Sequence, residues 1–307
     1  MTAVDTITKP ETEPDELALD DAGPAPSPPL PAAVSVIIRV CMTCALLAGL
    51  LVVYALWLSA IPQARAQEGL YGDLREQLAK AEAPIGGDIA PGAPVALLEV
   101  PSLHLRQVVV EGTASSQMWA GPGHRRDTKL PGSPGVSHIY GHSATFGAPF
   151  RDIAAMQPGE LINVTTGMGE FNYRVVKVRH TGEPLPEPLP AGRSRLTLVT
   201  AEGKGWRTSW APNEVVYVDA LLDGDPQAGL PRTSLTLPIA EKPMQGDPAA
   251  LIPLLLWLQL LVVAAIAATW ARARWGGRQV WIVGLPVLLA GLWGAAEAMA
   301  MALPNLS

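Results

Sequence analysis

The sequence predicts an all-β domain of short strands, a small closed barrel or sandwich, carried by three membrane-spanning helices. Three apolar runs and one stretch of β-branched segments support that reading. Between Arg39 and Arg65 no charge interrupts "VCMTCALLAGLLVVYALWLSAIPQA". Between Asp247 and Arg272 "PAALIPLLLWLQLLVVAAIAATWA" is equally clean, and "QVWIVGLPVLLAGLWGAA" runs from Gln279 to Ala296. A hydrocarbon core of about 30 Å needs about 20 helical residues, which places spans at 40–61, 249–271 and 279–301. The first run is too long for a signal peptide's apolar region and follows a long acidic leader, so it reads as a retained anchor.

The strands lie between the first two spans, over 91–224. "VALLEV", "HLRQVVVEG", "VSHIYGH", "ELINVTT", "FNYRVVKVRH", "RLTLVTA" and "EVVYVDALL" are short, β-branched and separated by Gly/Pro turns. In "FNYRVVKV", Phe171, Tyr173 and Val175 alternate with Asn172 and Arg174, the period of a half-buried antiparallel strand. Only "PFRDIAAMQ" reads as helix, one or two turns long. Seven or more strands in such a length suit a closed barrel or a sandwich.

The remaining segments follow from composition. Residues 1–31 are rich in Pro, Asp, Glu and Ala and bury too little apolar surface to offset ordering, so they are expected to be a disordered tail. Over 65–90, Leu70, Leu74 and Leu78 form one stripe of a short helical stalk. Residues 225–248 are Pro-rich and read as an extended tether back to the membrane. Arg272, Arg274 and Arg278 mark the turn between spans two and three as cytoplasmic. Three spans then leave the N-terminus inside and the β-domain outside. Arg39 agrees with this and Arg65 weakly opposes it.

Charge and cysteine content narrow the chemistry. The 307 residues carry a formal net charge of -6, so no nucleic-acid surface is expected. The two cysteines, Cys41 and Cys44, both lie in the first apolar run, which excludes a disulfide framework or a cysteine zinc site in the β-domain. His138 and His142 have the spacing of a helical zinc pair, but on a strand their rings stand about 13 Å apart, too far for one ion. "GHSAT" approaches a nucleophile elbow, yet Thr145 stands where its last glycine belongs and no alternating α/β chain surrounds it. Ser143 therefore reads as a loop residue. No cofactor is expected.

A cysteine–histidine pair is the remaining option, and here several stretches resemble one family. "GHSATFGAPFRDIAAMQPGELINV" is similar to the histidine segment of sortases, the membrane-anchored cysteine transpeptidases of Gram-positive bacteria, class E-like members included. "VVVEGTASSQMWAGPGHRRDTKLPGSPG" resembles the approach to it, and "LTLVTAEG" resembles the nucleophile strand, which ends T-L-x-T-C. The resemblance implies an eight-stranded β-barrel. It also implies a cysteine that cleaves a sorting-signal peptide through a thioacyl intermediate, a histidine general acid/base and an arginine at the oxyanion or substrate.

Carried over, the histidine is His142, and the cysteine position holds Ala201. The arginine belongs at the start of the last strand, at Ala211 or Glu214, and no arginine occurs between Thr208 and Asp219. Alanine cannot attack a carbonyl, and a carboxylate would oppose developing negative charge. A Cys→Ala replacement alone would not explain the missing arginine. Thr200 should face away from Ala201; it and Arg207 are candidate binding residues, while Thr208 and Ser209 lie in the following loop. The expected function is a catalytically inactive sortase homologue that binds a sorting-signal peptide or an active sortase at the membrane. A transpeptidase with a non-standard nucleophile and a structural subunit of a membrane complex remain the alternatives.

Overall fold

The computed structural model describes residues 32–203, 214–231, 236–275 and 277–306. The chain divides into two units, 1–45 and 46–307. The described part of the first is the beginning of helix α1 (Ala32–Val53). The second unit holds everything else.

Eight strands form a closed barrel in the order β1-β2-β3-β4-β7-β8-β6-β5. They are β1 (Pro94–Val100), β2 (Leu105–Glu111), β3 (Gly123–His124) and β4 (Gly135–Tyr140). The second half comprises β5 (Leu161–Thr166), β6 (Gly169–His180), β7 (Ser194–Glu202) and β8 (Glu214–Leu222). The closing pair, β1 with β5, is antiparallel, whereas β4 with β7 and β2 with β3 are parallel. Alternation decides which side chains enter the barrel. Leu98, Ile139, Ile162, Val164, Tyr173, Leu196, Leu198 and Val218 form the buried core. Tyr173 is large enough to bring a hydroxyl across it, where that oxygen accepts from Gly132 N at 2.7 Å and meets Ser194 Oγ at 2.9 Å.

The expected stalk has a structural task. Helix α2 (Ala60–Ala79) follows α1 and a π-helical turn, Tyr54–Leu58, and packs against β1 and β2. Strand β3 pairs with only Val110 and Glu111, so the outer edge of β2 is open along most of its length. Gln67 fills the gap. Its amide donates to Val108 O at 3.0 Å and accepts from Val108 N at 2.7 Å, as a neighbouring strand would. A buried edge left unpaired is costly, and a side-chain amide is a compact way to close it. Leu74, in the middle of the leucine stripe, is buried.

Three local readings need correction or addition. "PFRDIAAMQ" holds only a 3-10 turn, Ile153–Ala155, because Pro158 disfavours helix at the residue before it and Phe150 and Ile153 are pulled into the core. The two-residue β3 and the single-turn α3 (Ser115–Met118) are too short to leave a periodic signature. The Pro-rich tether lies against the protein: Leu230 N donates to Ile85 O, and Gln227 N to Gly132 O.

Among the described residues, three helices are long and apolar enough to cross a membrane: Leu47–Ala79, Pro248–Arg274 and Arg278–Ala302. The last two overlap α4 (Leu251–Trp275) and α5 (Gly277–Ala302). Tyr54 meets Trp293 of α5 edge-on at 5.1 Å and belongs to a small apolar cluster with Phe146, Ala296 and Ala300.

Candidate functional site

Strand register relates the end of β4 to the middle of β7. Parallel pairing sets Tyr140 level with Val199, and Gly141 N donates to Val199 O at 3.0 Å. Leu196 and Leu198 point inward, so Val199 and Ala201 face outward. Thr200, between them, faces the other way, as alternation requires. Its hydroxyl donates to Gly141 O at 3.0 Å and so fixes the backbone that presents His142.

The loop after β4 is tightly held. His142 is buried, its O accepts from Phe150 N at 3.0 Å, and its Nδ1 lies 3.2 Å from Thr145 Oγ1. The Phe146 ring packs against the imidazole at 5.0 Å between centroids. Phe146 takes a left-handed backbone (φ 49°), and its N–H donates to Ser59 Oγ at 2.9 Å. Ser59 ends the π-helical turn that leads into α2. The histidine loop is therefore braced by the base of the first membrane helix.

The outer face of β4, β7 and β8 beside Ala201 is apolar. Met118, Tyr140, Val199, Ala201 and Val215 form one buried cluster, and its sixth member is Leu306 from the C-terminal end of the chain. Leu306 is fully buried, and its O accepts from Ser143 N at 3.2 Å and Ser143 Oγ at 3.0 Å. Nothing in the local sequence pattern signals this contact.

One row further along the same face the chemistry is polar. Thr197 pairs with His138 on β4 and with Asp219 on β8. Asp219 accepts from Thr197 Oγ1 at 2.7 Å and from Arg179 Nε at 2.6 Å, and Arg179 lies over the Tyr217 ring at 4.1 Å. Arg179, on β6, is the guanidinium that this face holds beside Tyr217, and its charge is spent on Asp219. Burial, aided by the Arg125 charge, pushes the His138 imidazole down from 6.5 to about 4. The folded state thus binds fewer protons than the unfolded state between these values, so stability falls as pH drops through that window. After allowance for partial solvent access, about 2 kcal/mol should be lost by pH 4. Denaturant titrations of the intact protein and His138→Asn should show their stability difference shrinking by that amount between pH 7 and 4. A pH-independent difference would refute the assignment.

A second buried pair lies outside the row. His124 Nδ1 meets Glu111 Oε2 at 2.9 Å, and His124 Nε2 meets Lys129 O at 2.9 Å, with both side chains fully buried. The "GPGH" stretch thereby locks β2 to β3 and does not reach the groove.

The other sequence candidates are scattered. Glu214 opens β8 opposite Glu202, on the face away from Ala201. Arg207 and Ala211, with Thr208 and Ser209, lie outside the described residues. Ser143, read from sequence as an ordinary loop residue, and Thr145 are brought to the site. Leu306 and Arg179 were not anticipated there.

The β-domain is similar to known proteins. Residues 98–219 match the family model of the sortase domain. Sortase D of Bacillus subtilis (strain 168) is 30% identical over 83 residues, which is 27% of this chain and 40% of that protein. The chain thus spans about two fifths of the length of that curated relative. Among solved structures, a Clostridium perfringens Sortase D5 transpeptidase aligns with a TM-score of 0.42 and 22% identity, over 52% of this chain and 99% of that one. Sortase E1 from Streptomyces coelicolor, with a tripeptide in its active site, aligns with a TM-score of 0.38 and 25% identity, over 45% and 93%. The span that matches the sortase domain, residues 98–219, lies within the closed eight-stranded barrel, so the β-domain of this chain is similar to sortases.

Proposed function

We propose that this chain is a membrane-anchored, catalytically inactive sortase homologue that holds peptides without cutting them. The observation that carries this reading is Ala201, a buried methyl group in an apolar floor, at the position where the resemblance to sortases places the thiol. A methyl group offers neither an attacking electron pair nor a proton for the imidazole to take. His142, steadied by Thr145 and Phe146, is then a hydrogen-bonding wall of the groove. The partner is a sorting-signal peptide of a surface protein or an active sortase. Arg272, Arg274 and Arg278, between the second and third helices, support an N-terminus inside and a barrel outside the membrane.

The full chain in detergent should release no product from fluorogenic sorting-signal peptides above buffer. Binding should be reversible and no tighter than about micromolar, because a short flexible peptide loses conformational entropy on docking. Turnover that His142→Ala abolishes would overturn the inactive reading. A tag at Ser307 that is protected in intact cells would overturn the orientation.

A further inference from the structure

The apolar face beside Ala201 is covered by the chain's own residues 303–306. Residues Leu303–Leu306 leave the end of α5 and run against the barrel and the docked tether. Ser115 Oγ donates to Leu303 O at 3.0 Å. Asn305, fully buried, donates through Nδ2 to Thr113 O at 2.6 Å, Lys242 O at 3.1 Å and Ala240 O at 3.4 Å, and through its backbone N to Gln245 O at 3.0 Å. Leu306 then enters the apolar floor, and Ser143 donates twice to its carbonyl. The tether that supplies those acceptors is itself anchored, by Glu241 O on Thr113 Oγ1 at 2.7 Å and by the Glu241–Arg126 ion pair at 3.1 Å.

These contacts are specific in kind. A carboxamide with its N–H groups aimed at main-chain carbonyls, followed by a branched aliphatic side chain in a dry pocket, is the pattern of a recognised peptide. Ala201 is one wall of that pocket, so the small side chain at this position is part of the floor under Leu306. We infer that the groove is a binding site for an extended peptide carrying Asn followed by Leu, and that its resident ligand is this chain's own Leu303–Leu306 segment. This deepens the binding reading above and rests on it. Because the segment is tethered, its high effective concentration keeps the groove closed to free peptides until it leaves.

The test uses the full chain in detergent with Cys41→Ser and Cys44→Ser, so that Leu306→Cys supplies the reactive thiol. Maleimide labelling of the folded chain should be at least tenfold slower than after SDS denaturation, and Asn305→Ala should accelerate it about tenfold. In parallel, the synthetic hexapeptide ALPNLS should bind a chain lacking 303–307 at least tenfold more tightly than it binds the intact chain. Rapid labelling that Asn305→Ala does not change, or equal peptide affinity for the two chains, would overturn the inference. Cleavage of the hexapeptide by the shortened chain would refute the inactive reading and leave the occupied groove standing. Rapid labelling together with uncleaved sorting-signal peptide bound by the intact chain would do the reverse.

Discussion

Asp219→Ala is expected to lower stability by about 3–5 kcal/mol, because it leaves a buried guanidinium without its counter-charge. Asp219 and Arg179 are both nearly inaccessible to solvent, at 3% and 7% exposure. The carboxylate also accepts the Thr197 hydroxyl, so removal strands a second polar group. The Tyr217 ring retains a cation–π contact with Arg179, worth about 2 kcal/mol at most in a desolvated setting, which does not close the gap. Against a usual total of about 5–15 kcal/mol, this is a large share. Glu99→Ala is the control: its pair with Arg106 has a similar 2.9 Å separation but is exposed, so the expected loss is below about 1 kcal/mol. Denaturant midpoints of the two variants measure the contrast, and equal losses would refute it. The double change Asp219→Leu with Arg179→Met should recover most of the stability, since apolar replacement of a whole buried pair is often neutral.

Much of the barrel is written in side-chain alternation. Phe171, Tyr173 and Val175 are buried while Asn172 and Arg174 are exposed, as the sequence of β6 requires. In β7, Leu196 and Leu198 point inward and Ala201 outward, and that parity alone assigned Thr200 to the other face. Elements whose stability comes from elsewhere left no such trace. Two residues of β3 have no period to read, and "PFRDIAAMQ" looks helical by composition although Pro158 and the core divide it into turns. The role of Gln67 depends on a strand edge 41 residues away, beyond any local window.

The site divides in the same way. The order of motifs pointed to His142 and Ala201, and the parallel register of β4 and β7 sets Tyr140, two residues before the histidine, level with Val199, two residues before the alanine. No pattern tied Leu306 or Ser143 to them, since that contact joins positions 163 residues apart. Arg179 was invisible for a related reason. It lies on β6, which reaches this face only through β8, beyond a register shift between Val175 and Lys177 that interrupts the alternation of Phe171, Tyr173 and Val175.

Gly141→Ala is expected to cost about 3 kcal/mol and to displace His142, an effect at the upper end for overpacking. The backbone angle is not the obstacle, since Gly141 is not among the glycines with positive φ. Space is. A Cβ at this position would sit inside the contact distance of the Phe150 ring. Phe150 is fully buried in the barrel core, so it has no free volume into which to retreat. The glycine backbone is held as well, by Val199 O on its N–H and by Thr200 Oγ1 on its carbonyl. Relief must then come from the segment that follows, and the first residue to move is His142, whose carbonyl receives the Phe150 N–H. Hydrogen exchange at Phe150 should accelerate together with the drop in denaturant midpoint. Phe150→Leu should partly rescue Gly141→Ala, so the double mutant should lose at least 1 kcal/mol less than the sum of the single losses. Strict additivity would show that the ring is not what the new methyl meets, and would separate the position of His142 from the core of the barrel.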